Sequence, residues 1–380
     1  MRDATLITTP DQLSAAVFRM RGAARLALDT EFMRERTYYP QLCLVQVATD
    51  ADCVLVDPLN GLDLAGLFEL LAEPGRVKVV HAARQDLEVL YLSAGRVPLP
   101  VFDTQIAAAL IGLAPQIGYA ELVARQLGHS IDKGQTRTDW SRRPLSPEQL
   151  AYAADDVHHL LELHTSLLVE LQKRGRQHWL DEDASAFADE TLYRTEPAEA
   201  WRRLKGIGRL KPVERAIARA LARWREERAI ASDRPRGWIV PDEALLAMAT
   251  LAPRSIEELA VVRALQPAVL RRRGEELLAI IDAARGTTDG AAADLSGRRL
   301  EPHETALVGR MIEEVRAEAT RLGISAELLA TRRDVEALVL GQADPAVLRG
   351  WRRGVIGERL MAMAATAAVQ SPAVTHENAN

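Results

Sequence analysis

At 380 residues, with 48% apolar and 27% charged side chains, the chain is long enough for two or three domains and has an ordinary globular composition. Nothing reads as a secretory leader or a bilayer span: Met1 to Leu13 lacks a basic and an apolar region, and no apolar run approaches roughly 18 residues. Two cysteines, Cys43 and Cys53, are too few for a disulfide framework and lack zinc spacing, so a cytoplasmic protein is expected, and a net charge of −5 names no partner.

In chain order, apolar runs at Thr5–Ile7, Arg25–Asp29, Leu42–Val47, Cys53–Val56 and Val77–His81 predict strands. Helical periodicity appears between them at Asp11–Met20, Leu64–Leu71 and Gln85–Ser93. Gln41 to Asp57 predicts a hairpin turning at Asp50-Ala51-Asp52. Hairpin and crossover connections together imply an α/β domain with a mixed sheet, spanning residues 1–195. Phe102-Asp103-Thr104 opens another helix with Asp103 as N-cap. From Pro147 onward strand signals vanish. Glu148–Leu171 predicts one long helix, with Ser146 as N-cap and Pro147 at the first helical position.

After Thr195-Glu196-Pro197 the chain reads as helices only, in two blocks, Trp201–Ala284 and Gly297–Ala367. Gly286 to Gly290 joins them as a flexible linker. The phrase Leu265–Arg271 returns in similar form at Gly341–Arg349, which predicts two copies of one small helical domain. Their expected limits are 196–290 and 291–370, followed by a frayed tail at 371–380.

Charge is unevenly shared among these regions. Residues 1–195 carry 19 basic and 27 acidic side chains, residues 196–290 carry 18 and 14, and Trp201–Arg236 alone carries 12 and 4. An acidic front beside a basic middle suggests a cation site in one domain and an anionic partner at the next. The helix Val213–Arg228 sets Arg215, Arg219 and Arg223 four apart on one stripe, with Arg225 and Arg228 offset. Such a stripe fits salt-sensitive phosphate contacts, and equally a solvated cationic face.

Three segments carry carboxylates that could act together. Arg25–Glu31 is an apolar strand ending in Asp29 and Glu31, and period-two geometry sets both on one face, where like charges are costly without a cation. Val79–Leu87 runs from strand into helix and offers Asp86, with Asp103 as its rival and His81 close by. Gln149–Val157 sets Tyr152 four residues from Asp156 and three from Asp155, so periodicity leaves the second acid open. Hard divalent cations prefer such oxygen ligands, and a paired-metal site gathers carboxylates from separate elements. A tyrosine beside an attacking water, ordinarily protonated at neutral pH, would orient it.

Asp29-Thr30-Glu31-Phe32, the His81 to Asp86 segment, and Tyr152 with Asp156 resemble the three motifs of the DEDD exonucleases, in their tyrosine-bearing subgroup. Asp139 to Val157 is similar to the ribonuclease D family within that subgroup. The two helical blocks resemble the HRDC domains that follow the nuclease domain there, although the second lacks aromatic anchors comparable to Trp224 and Trp238. Family spacing selects Asp86 over Asp103 and Asp156 over Asp155. The resemblance implies a ribonuclease H-like α/β mixed-sheet exonuclease domain followed by two small all-α domains. It also implies two divalent ions, Mg²⁺ or Mn²⁺, on Asp29, Glu31, Asp86 and Asp156, with Tyr152 at the attacking water. The implied reaction is hydrolysis of RNA from its 3′ end to nucleoside 5′-monophosphates, with precursor tRNA as the substrate class. By the same analogy Phe32 stacks on the terminal base and His81 faces the substrate. Neither a membrane nor an obligatory protein partner is expected, and the missing Gly-x-x-x-x-Gly-Lys-Ser/Thr loop excludes an ATP-driven helicase.

Overall fold

The computed structural model describes residues 4–131, 138–286, 300–342 and 344–370. The predicted linker beyond Gly286, the expected start of the second block at Gly297 and the 371–380 tail lie outside the described residues.

Six strands form a mixed sheet: β1 (Thr5–Ile7), β2 (Arg25–Met33), β3 (Gln41–Ala48), β4 (Cys53–Val56), β5 (Val77–Val80) and β6 (Val101–Asp103). Their spatial order is β1-β4-β3-β2-β5-β6. The β2–β3 and β3–β4 pairs are antiparallel, as the hairpin pattern predicts, and the remaining pairs are parallel. Helices cover both faces. Leu26, Leu28, Val45 and Val47 pack under α1 (Pro10–Met20), α2 (Ala65–Leu71) and α3 (Arg84–Ala94). Ala27, Leu44 and Val79 face the other layer, built from α4 (Thr104–Leu110), α5 (Tyr119–Leu127), α6 (Pro147–His158), α7 (Leu160–Lys173) and α8 (Gln177–Ser185). This double cover explains why β3 is buried at seven of its eight positions, leaving only Gln41 exposed, instead of alternating.

Two expectations change. β2 does not end at Asp29 but runs on to Met33, because its pairing with β3 continues from Asp29↔Gln46 to Met33↔Gln41, with a register irregularity between Glu31 and Phe32. The helix expected at Phe102-Asp103-Thr104 is as read, α4 starting at Thr104 with Asp103 as its N-cap, and the short strand β6 leads into it. The predicted long helix Glu148–Leu171 breaks at His159. There the Tyr119 hydroxyl donates to the Asp155 carbonyl (3.1 Å) and accepts from the His159 N–H (3.1 Å). A side chain inserted in the i→i−4 ladder is a standard cause of a kink, and one arriving from α5 leaves no trace in the local periodicity. The N-terminal signals of α6 are as read: Ser146 and Gln149 form a capping box, with Pro147 at the first position.

The first helical block encloses its own core of Trp201, Ile217, Leu221, Leu245 and Leu277, gathered around α9 (Pro212–Ser232). Trp224 is a buried anchor whose indole N–H donates to Glu276 (2.8 Å), whereas Trp238 is 58% exposed and anchors nothing. The second block is different. Leu307, Met311 and Val315 from the helix Pro302–Leu322 join one continuous core with Leu167 and Trp179 of the α/β domain. Its aromatic anchor is Trp351, stacked on Trp179 with ring centroids 4.1 Å apart and planes 7° apart. The sequence reading missed this residue because its partner lies in the other domain.

Candidate active site

Strand alternation sends Asp29 and Glu31 to the α6 side of β2 and Thr30 to the α3 side. The β2–β5 pairing stops at Ala27↔Val79, so beyond that point the β5 flank of β2 has no strand neighbour. α3 begins four residues after β5 ends, and its first turn brings Asp86 to Thr30, whose hydroxyl donates to the Asp86 carboxylate (2.6 Å). From the opposite layer, α6 packs over β2, β3 and β4 and delivers Tyr152 and Asp156.

The ligand oxygens of Asp29, Glu31 and Asp156 all lie within 4.8 Å of one another. Asp86 stands just outside that triplet, buried at 7% exposure and close enough to raise both Glu31 and Asp156 electrostatically. Burial, then the Asp156 charge, holds Asp29 well above the usual carboxylate range. Glu31 is pushed up to about 9 by burial and by Asp29, Asp156 and Asp86. Asp156 rises to about 7 through burial, partly offset by a hydrogen bond from Tyr152. Burial and Asp29 raise Asp86 against the lowering effect of Thr30. Burial first, then Asp156, Glu31 and Asp29, drives the Tyr152 hydroxyl above its ordinary value, so it remains a donor.

Four carboxylates that oppose each other's ionisation are the donor set of a hard divalent cation, which would reverse the sign of every one of these interactions. Gln46 supports the same fit. It is in register with Asp29, fully buried, and neither of its amide atoms has a hydrogen-bond partner in the fold. An unpartnered buried amide costs about 1–3 kcal/mol, so the cluster fits a site completed by a bound group.

The rivals are also placed. Asp103 accepts from the backbone N–H groups of Ala82 (3.1 Å), Ala83 (2.9 Å), Gln105 (2.8 Å) and Ile106 (3.3 Å). Its oxygens therefore hold the turn at Ala82, whose φ of 58° is unusual for a non-glycine residue, and aim α3. Asp155 is outside the triplet and joins the Tyr119 bridge through its carbonyl. His81 is held by both ring nitrogens: Nε2 lies 3.0 Å from the Ile117 carbonyl, to which it donates, and Nδ1 lies 2.9 Å from the Thr104 hydroxyl. Phe32 follows the irregularity in β2, and the Arg34 guanidinium stands 5.9 Å from its ring centroid.

On α9, Arg215 is buried, Arg219 lies over the Trp201 ring at 4.8 Å, and Arg223 is ion-paired with Glu227 at 2.8 Å. Cations gather instead in a cleft of about 700 Å³ between the α/β domain and the first helical block. Arg34, Arg84, Arg194, Arg203 and Arg236 line it beside Tyr38 and Tyr193, with Glu88 and Glu196 as the acids. Arg34 adjoins the end of β2 and Arg84 is two residues from Asp86 in the chain, while none of the four carboxylates lines the cleft itself. The blocks meet at its edge, where the Tyr38 hydroxyl donates to buried Glu226, and Asp233 accepts from the N–H groups of Tyr38 (3.0 Å) and Tyr39 (3.1 Å).

Sequence reasoning missed Arg143. Its guanidinium forks onto the buried carboxylate of Asp57 (2.6 and 2.7 Å) and also donates to the carbonyls of Cys43 (2.7 Å) and Trp140 (2.7 Å). That clamp ties the segment before α6 to the sheet and so positions Tyr152 and Asp156. Only its place in the stretch Asp139 to Val157, which resembles ribonuclease D, hinted at it; no local periodicity did.

Comparison with known proteins agrees with this architecture. A family model described as 3′–5′ exonuclease matches residues 4–172, and one for the HRDC domain matches residues 214–281. The chain is 41% identical over 372 residues to ribonuclease D of Granulibacter bethesdensis, covering 94% of this chain and 92% of that one. It is 39% identical over 365 residues to ribonuclease D of Jannaschia sp., covering 92% of each. The crystal structure of Escherichia coli RNase D, an exoribonuclease involved in structured RNA processing, matches with a TM-score of 0.86 at 31% identity, covering 96% of this chain and 99% of that chain.

Proposed function

Because the chain belongs to the ribonuclease D family and is a 3′–5′ exoribonuclease, we propose that it releases nucleoside 5′-monophosphates from RNA 3′ ends, with two divalent cations held by Asp29, Glu31, Asp86 and Asp156. The observation that carries this reading is the convergence of Asp29, Glu31 and Asp156 within 4.8 Å, with Tyr152 hydrogen-bonded to Asp156. When bound, the ions, Mg²⁺ or Mn²⁺, would polarise the scissile phosphodiester and make an attacking water more acidic.

The chain's own groups do the rest. Asp29, Glu31, Asp86 and Asp156 draw a dication because each is destabilised as an isolated buried anion. Tyr152, kept protonated by burial first and then by those carboxylates, orients the water through its hydroxyl. Attack at the last phosphorus leaves the 5′-phosphate on the released nucleotide, while the 3′-oxygen of the shortened strand takes up a proton. Phe32, at the end of β2, is the proposed platform for the terminal base, and His81 presents a ring face, since both its nitrogens are engaged. The arginine-lined cleft, with aromatic rings among the cations, has the chemistry of a single-strand track. Arg215, Arg219 and Arg223 enter this reading only as groups that exchange their internal partners for phosphates.

Precursor tRNA 3′ ends are the proposed substrates, supported by the family resemblance and by the structured-RNA role of the E. coli relative. Among the described residues no helix is long and apolar enough to cross a membrane. A cytoplasmic location belongs to the same proposal, in keeping with two cysteines, both buried. The domain limits 1–195, 196–290 and 291–370 stand with it, the first helical unit having its own core and the second docking on the nuclease layer.

The test is digestion of 5′-labelled RNA, including a tRNA with a 3′ trailer, with Mg²⁺, with Mn²⁺ and with chelator. The expected result is stepwise shortening with either ion, 5′-monophosphates as product, and none of it in chelator or in Asp29→Asn. Preference for matched DNA, or shortening unaffected by chelator, would overturn the proposal.

A further inference from the structure

A second group of ligating side chains lies where α6 gives way to α7, and the exonuclease reading makes no use of it. His159 occupies the break between the helices, Glu162 follows one turn later, and His129 comes just after α5, beyond its C-cap Gly128. One ligand atom from each of the three lies within 4.8 Å of the other two. His129 Nε2 and His159 Nδ1 both approach the same Glu162 oxygen, Oε2, at 3.8 Å and 3.6 Å. The two imidazole rings are stacked, with centroids 5.0 Å apart and planes 24° apart.

Those distances do not describe hydrogen bonds, which for N–H to O fall at about 2.7–3.2 Å. They lie close to the roughly 3.4 Å that separates neighbouring ligands around a tetrahedral ion with bonds of about 2.0–2.1 Å. An ordinary surface ion pair is a poorer account. One carboxylate would face two imidazolium cations stacked against each other, and neither would make a hydrogen bond to it. Two neutral imidazoles and a carboxylate are instead a recognised donor set for a borderline divalent ion.

We propose that His129, His159 and Glu162 form a transition-metal site, fitted to Zn²⁺, that is separate from the carboxylate cluster. His129 and Glu162 are half-exposed, so an ion held there is reached from solvent and keeps one position for water. The two sites differ in chemistry: the carboxylate cluster offers oxygens only and suits Mg²⁺ or Mn²⁺, whereas imidazole nitrogen selects Zn²⁺. The location gives the ion a consequence. It staples the segment after α5 to the helix break that Tyr119 creates, three residues beyond Asp156. Zinc there would stiffen the joint from which α6 carries Asp156 and Tyr152 into the cluster.

The test uses the full chain in excess Mg²⁺, with Zn²⁺ titrated while histidine ring nitrogens are followed by ¹⁵N NMR. One equivalent should shift the His129 and His159 rings, assigned by loss of each signal in His129→Ala and His159→Ala. Glu162→Gln should weaken the titration at least roughly tenfold. Zinc should also raise the thermal midpoint of the parent chain and not that of His129→Ala, a half-exposed position whose replacement leaves the fold and the Mg²⁺-dependent activity in place. If one equivalent of Zn²⁺ leaves both rings unmoved, or shifts them equally in Glu162→Gln, the site does not exist. Zinc that perturbs only the neighbourhood of Asp156 would mean that the ion had gone to the carboxylates, and would overturn the proposal as well.

Discussion

The proposed chemistry turns on single groups whose environments oppose their own charges. Glu31 and Asp156 have folded-state values of about 9 and about 7, above those of an unfolded chain. Between the unfolded and folded values the native protein binds protons that the unfolded chain has released, so without a cation its stability falls as pH rises through that window. A dication held there, as proposed, would remove the penalty. The thermal midpoint in Mg²⁺ should therefore exceed that in chelator by a margin that grows from about pH 5 to about pH 9. A margin independent of pH would show that these carboxylates are not the ligands. Tyr152 contributes differently. Its hydroxyl stays protonated, so Tyr152→Phe should lower the single-turnover rate by about a hundredfold while the Mg²⁺ concentration for half-activity is unchanged. A parallel loss of metal affinity would assign the hydroxyl to ligand positioning instead.

The elements bring these groups together through contacts remote in sequence. β2 supplies Asp29 and Glu31, and α6 reaches them with its leading segment clamped to the sheet, beside the apolar packing of Leu145 and Ala153 on Leu44 and Leu55. In that clamp the Arg143 fork meets Asp57, which is 1% exposed. Removing one partner of such a pair leaves a buried charge uncompensated. Arg143→Ala should cost about 3 kcal/mol or more in urea unfolding and reduce turnover with it. Arg143→Lys should rescue little, because a single ammonium cannot reproduce the fork. Native-like stability in Arg143→Ala would show that α6 is held by other means. Tyr119 works on the other end of α6. By taking the backbone groups of Asp155 and His159 it turns one predicted helix into two, so α6 lies over β2, β3 and β4 while α7 follows the core.

At the scale of the whole molecule the two helical blocks attach in different ways. The first keeps a separate core and meets the nuclease domain through polar contacts between Tyr38, Tyr39, Glu226 and Asp233. The second shares a core with α7 and α8, with Trp351 on Trp179 and Arg352 paired to Asp183 at 2.6 Å. Trp351→Ala should therefore destabilise the nuclease domain and the second block together, by about 3 kcal/mol or more, in one calorimetric transition. A separate early transition for the second block would show that the shared core is not cooperative.

The sequence by itself determined the class of chemistry. A strand with two carboxylates on one face, a helix with a tyrosine and an acid four apart, and a third acid at a helix start are local patterns, set by the periods of two and 3.6 residues. The mixed sheet and the capped start of α6 were legible for the same reason. Local periodicity did not choose Asp86 over Asp103 or Asp156 over Asp155. The tertiary structure places Asp103 as the acceptor of four backbone N–H groups and Asp156 in the triplet with Asp29 and Glu31. It also decided the extra length of β2, the break at His159, the Arg143 clamp and the docking of Trp351. Each depends on a partner tens of residues or more away in the chain, and such a partner is set by packing and burial, which no local period records.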